Sequence, residues 1–154
     1  FSFDFLVAVA TAALTVGIGF ILHELAHKIV AQHYGCWAEF RADDRMLLFA
    51  IVLSVFGFIF AAPGAVVIDG VVTKKENGVI AVVGSWTNIV LALVFLALMP
   101  VVPAVAVYGV QINAWLAMFN MIPFWILDGK KVFAWNKLVW GITVAAGLGL
   151  LFVV

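Results

Sequence analysis

From Phe5 to Leu22 the chain carries no charged residue. Coiled as an α-helix, that stretch is about long enough to cross the hydrocarbon core of a bilayer, with every backbone hydrogen bond made internally. Further apolar runs follow at Met46 to Ala62, Gly78 to Met99, Ala104 to Leu127 and Leu138 to Val154. Composition decides whether these are buried core or membrane segments. The chain of 154 residues is 67% hydrophobic and has only eight basic and eight acidic side chains. A soluble domain is about half apolar and about a quarter charged, and cannot bury this much apolar surface. The prediction is an all-α polytopic membrane protein in a single domain spanning 1–154. It would have about four transmembrane helices plus a re-entrant or interfacial segment with short β-strands. Zero formal charge and sparse basic residues argue against a nucleic-acid partner. Cys36 is the single cysteine and reads as a small buried apolar residue.

Local patterns sharpen the outline. A first helix is expected over Phe3 to Tyr34, stopped by Gly35. Cys36 to Arg41 alternates like a strand, and Ala65 to Ile68 reads as a second. Lys74 to Asn77 reads as a polar turn before the next helix. The basic residues are Lys28, Arg41, Arg45, Lys74, Lys75, Lys130, Lys131 and Lys137. Basic loop residues favour the cytosolic side of a membrane. If Met46 to Ala62 dips in and returns, all eight lie at or near that face. If it crosses as a fifth span, Lys74 and Lys75 are separated from Arg41 and Arg45. The re-entrant reading gives the simpler charge distribution.

One polar cluster interrupts the first apolar run: His23-Glu24-Leu25-Ala26-His27. Positions four apart share a helix face, so the two imidazoles can bind one Zn²⁺. Glu24, next to the first, can take a proton from a water activated there. Ionisable groups inside a membrane span are costly and are functional candidates by default. The competing readings are a packed polar cluster or another ion's pathway. His27 lies roughly 12 Å of helix before Gly35, inside the membrane profile and near its basic face. A hydrolytic zinc site needs a third protein ligand and an open position. Asp128 is the candidate. It is expected to close an apolar helix that Pro123 kinks, with Gly129 allowing a sharp turn after it. Pairing with Lys130 or Lys131 is its alternative role. Asn88, four residues after Gly84, and Asn120 either tie helices together or hold substrate and a developing oxyanion. His33 reads as interfacial.

Three separated motifs, His23-Glu24-x-x-His27, Gly84-x-x-x-Asn88 and Asn120-x-x-Pro123 through Leu127-Asp128-Gly129, resemble the site-2 protease family of intramembrane zinc metalloproteases. The resemblance implies that His23, His27 and Asp128 hold zinc and that Glu24 is the catalytic base. It also implies that Asn88 and Asn120 assist substrate or transition-state binding, and that the site of this cell-membrane protein opens toward the cytosol. Ser85 stands where the family often has proline. The expected activity is hydrolysis of peptide bonds in or near transmembrane segments of membrane-protein substrates. A substrate helix would need local unwinding, and one of the strand segments could capture it by strand addition. Two rivals remain at this level. One is a prenyl-protein type of membrane zinc protease with a glutamate as third ligand, for which Glu76 is a candidate. The other is a membrane metal-ion carrier.

Overall fold

The first apolar run forms one helical rod, Phe3–His33, in the computed structural model. The described residues are 2–45, 47, 48, 52, 64–124 and 126–154. The rod comprises α1 (Phe3–Ala12), a π-helical segment (Ala13–Gly17) and α2 (Ile18–His33), and Gly35 terminates it with a φ of 79°. Gly19, His23, His27 and Ala31 are its buried positions on α2, and Thr15 of the π segment extends the row. This spacing of four makes one ridge. The ridge lies against α3 (Lys74–Leu98), where Ala81, Gly84, Ser85, Asn88 and Ala92 are buried. Small residues on both helices let the axes approach closely.

Contacts fix the directions. His27 meets Ile80 while His23 meets Asn88, so α2 and α3 are antiparallel. Ser85 Oγ donates to the Ala117 carbonyl, and Asn88 meets Asn113, so α4 (Pro103–Asn120) runs antiparallel to α3. Ser85 thus has a packing partner at the position where a proline could donate nothing. The His33 end of α2, the Lys74 end of α3 and the Asn120 end of α4 therefore lie together. A short helix, α5 (Asp128–Trp135), packs against α3 there, with Val132 buried among Ala81, Val82 and Met121. The last helix, α6 (Lys137–Leu151), packs along α4, and Thr143 accepts a hydrogen bond from the Trp86 indole at 3.0 Å. Strands β1 (Trp37–Ala42) and β2 (Gly64–Asp69) pair antiparallel beside α2, from Trp37↔Asp69 to Ala42↔Gly64.

The expectation of about four transmembrane helices is overturned. Among the described residues only Phe3–His33 and Lys74–Leu98 are long and apolar enough to cross a membrane. Gln111, Asn113 and Asn120 dilute the apolar character of the 18-residue α4. At 15 residues, α6 is shorter than the ~20 that a span requires. The run from Ala104 to Leu127 is also not one helix. It stops at Asn120, ahead of Pro123, so Asp128 opens a new helix rather than closing an old one. Gly129 is helical, and its role is close approach. A Cβ there would collide with the backbone carbonyls of Met121 and Ile122. Lys74 to Asn77 is the first turn of α3, not a free turn, because Thr73 and Glu76 form a reciprocal capping box. The Met46 to Ala62 segment, expected to be re-entrant, falls outside the described residues except for Leu47, Leu48 and Val52.

Candidate metal centre

His23 and His27 occupy successive turns of the inner row of α2 and are 4% and 7% exposed. Asp128 reaches them from the first turn of α5. His27 Nε2 lies 3.0 Å from both His23 Nε2 and Asp128 Oδ2, and His23 Nε2 lies 3.5 Å from the same oxygen. Donors around a tetrahedral zinc, with bonds of about 2.0–2.1 Å, stand about 3.3 Å apart. The three atoms match that spacing.

The outer nitrogens determine what the inner ones can be. His23 Nδ1 lies 2.6 Å from Asn88 Oδ1, and His27 Nδ1 lies 2.6 Å from the Ile80 carbonyl. Both partners can only accept, so both Nδ1 atoms carry the proton in the neutral rings. Each Nε2 then presents a lone pair, and the Asp128 oxygen beside them presents another. Three lone-pair donors converging without a proton between them are compatible with a divalent cation such as zinc. Gly84 supplies the room. A Cβ there would stand 2.5 Å from His27 Nε2 and 2.6 Å from His23 Nε2.

Asp128 divides its carboxylate. Oδ2 faces the imidazoles, while Oδ1 lies 3.4 Å from the Lys131 ammonium. The ligand position and the lysine pair, which read as alternatives in the sequence, coexist. Burial pushes the Asp128 carboxyl up. In the metal-free cluster, positive charge on His27, protons shared from both imidazoles and the nearby Lys131 outweigh that and hold it below the usual carboxylate range; a bound cation would take the place of those protons. The group is an anion at neutral pH, the form that binds a metal.

Glu24 projects from another side of α2 and is half-buried. Its Oε2 accepts a hydrogen bond from the Val66 backbone N–H of β2 at 2.8 Å. Beside it is a cavity of about 290 Å³ flanked by Phe20, Leu25, Lys28 and Phe40. The structure thus brings His23, His27, Asp128 and Asn88 together and sets Glu24 on the flank next to β2. Asn120 is not part of that hydrogen-bonded group; its amide N–H donates to its own helix at Leu116, 2.9 Å away. His33 sits at the exposed end of α2 against Tyr34. Glu76 is half-buried on the first turn of α3 and engaged with Thr73.

Three contributors were not singled out from the sequence. Asn113 was open to detection as an amide in an apolar helix, the argument that found Asn88. The Ile80 carbonyl and the Val66 amide are backbone groups, and no residue type announces them.

No family model and no solved structure matches the chain. A protein of Methanocaldococcus jannaschii named "Putative zinc metalloprotease" is 45% identical over 137 residues, covering 84% of this chain and 72% of the relative. With that identity and coverage, and with a His23/His27/Asp128 cluster able to hold a metal, the chain belongs to this zinc metalloprotease family.

Proposed function

We propose that the chain is a membrane-embedded zinc endopeptidase of the site-2 protease type, cleaving peptide bonds in or near transmembrane segments of other membrane proteins. One observation carries the reading. The two histidines of a three-donor metal cluster lie on the helix Phe3–His33, whose most apolar window is only 11% buried by the rest of the chain. A core helix of a soluble protein would be largely covered. Here Leu14, Ile21, Leu25 and Ile29 face outward, which suits lipid. The end of the bundle nearest the metal donors also carries Lys28, Lys74, Lys75, Lys130 and Lys131, which supports a cytosolic opening.

His23, His27 and Asp128 would hold the zinc. When bound, the metal supplies Lewis-acid activation of a water and of the scissile carbonyl. Glu24 takes the proton from the attacking water and returns it to the leaving amine. Val66 N–H points at Glu24 and so away from β1, leaving the outer edge of β2 beside the base. A substrate segment pairing with that edge would lie along the cavity next to Glu24. Glu76, held in the capping box by Thr73, weighs against the prenyl-protein type of site.

The test is purified protein in liposomes with a single-span substrate and, separately, an unfolded soluble protein. The proposal expects one zinc per chain and cleavage of the membrane substrate in or beside its span. Cleavage of the soluble protein alone would overturn the intramembrane reading. Metal flux into the liposomes without proteolysis would support the carrier instead.

A further inference from the structure

We propose that Asn88 and Asn113 form a positioning relay behind the metal centre, which selects the tautomer of His23 that turns a lone pair toward the metal. The inference rests on the zinc reading of the cluster and concerns residues outside the ligand set.

The argument follows hydrogen-bond direction from α4 to α2. Asn113 Nδ2 donates to the Gly109 carbonyl at 2.9 Å, which leaves Asn113 Oδ1 as an acceptor. Asn88 Nδ2 donates to that Oδ1 at 3.0 Å and also to the Gly19 carbonyl at 3.1 Å. With both amide protons of Asn88 committed, only its Oδ1 remains for His23 Nδ1, 2.6 Å away. His23 must therefore donate from Nδ1 and keep Nε2 bare. Reversing either amide would set donor against donor or oxygen against carbonyl oxygen at buried sites, where a lost hydrogen bond is costly. Both asparagines are fully buried, so water cannot substitute. The packing protects the arrangement as well. A Cβ at Gly19 would stand 2.5 Å from Asn113 Oδ1. His27 is the natural control, because its Nδ1 partner is the Ile80 backbone carbonyl and does not depend on any side chain.

The experiment uses the whole chain with ¹⁵N-labelled histidine, examined by NMR without metal and with Zn²⁺, together with zinc-affinity measurements. In the wild type, both His23 and His27 should report a protonated Nδ1 before zinc is added. In Asn88→Leu, His23 should become a mixture of tautomers while His27 is unchanged, and zinc affinity should fall about 10–100-fold, the usual range for a ligand's outer partner. Asn88→Asp, which retains the acceptor for His23 Nδ1 but sets a second oxygen against the Gly19 carbonyl and Asn113 Oδ1, should keep the His23 tautomer while lowering thermal stability. Asn113→Leu should give a smaller loss of the same sign, and it serves if Asn88→Leu does not fold. An Asn88→Leu protein with His23 and zinc affinity as in the wild type would overturn the relay. So would a raised KM at unchanged zinc affinity, which would assign Asn88 to substrate. A wild type with protonated Nδ1 atoms but no zinc binding would instead defeat the zinc reading and leave the hydrogen-bond assignment intact.

Discussion

Two sides of one helix, α2, are built to opposite rules. On the inner side His23 and His27 have Nδ1 held by Asn88 or Ile80 and turn Nε2 toward each other and Asp128. On the other side, Glu24 has one backbone partner, Val66, on a two-stranded sheet next to a cavity. The difference follows from what each side is asked to do. Metal ligands must hold their geometry before the ion arrives, so their rotamers and tautomers are locked by neighbours. A base must meet a substrate that enters from elsewhere, so it sits where few contacts would have to be broken.

The largest test of that contrast removes a lock on the inner side. Asp128→Ala should lower zinc affinity by more than about 100-fold, beyond the effect of losing an outer partner, and cleavage should disappear with it. Metal analysis of the purified variant checks this, with Glu76→Ala expected to keep its zinc. Next comes Glu24→Gln, which separates the two sides. Zinc content should match the wild type while turnover falls by about 10²–10⁴-fold, the range for a lost general base. Full turnover in this variant would end the base assignment. Gly84→Ala probes the inner side by crowding. Its new methyl would press on both Nε2 atoms, so zinc binding should weaken while the helices still assemble, at about 1–3 kcal/mol of overpacking; calorimetric titration with zinc measures it. The smallest effect is expected from Val66→Pro, which removes the N–H that meets Glu24. Zinc content should be unchanged and KM should rise, with kcat changing less. A loss of zinc there would mean that the two sides are not independent.

Much of the site was legible because helical spacing is a short-range rule. His23 and His27 share a face at any fourth-residue interval, and a glutamate beside them suits only some chemistries. Gly84, one turn before Asn88, is a small residue in the motif, and it permits close approach directly over the imidazoles. The capping box at Thr73 and Glu76 is also written in the sequence, and it makes Lys74 to Asn77 a helix start rather than a polar turn. The number of spans was less legible. Counting apolar runs treats each as one helix, but Pro123 removes a backbone donor and the helix ends before it, at Asn120. Of the three amides on α4, Asn113 serves the interior of the bundle as a polar contact, while Gln111 is exposed and Asn120 bonds within its own helix.

The sequence by itself determined that a histidine pair and a glutamate would share a long apolar helix, since residue type and 3.6-residue periodicity decide that locally. Only the tertiary structure decided that Asp128, about a hundred positions away, lies on those imidazoles, that Asn113 stands behind Asn88, and that a β2 amide meets Glu24. Those meetings depend on how close the α2 and α3 axes come and where α5 begins. Both are set by packing of small residues and by backbone groups, which carry no signature in the order of the side chains.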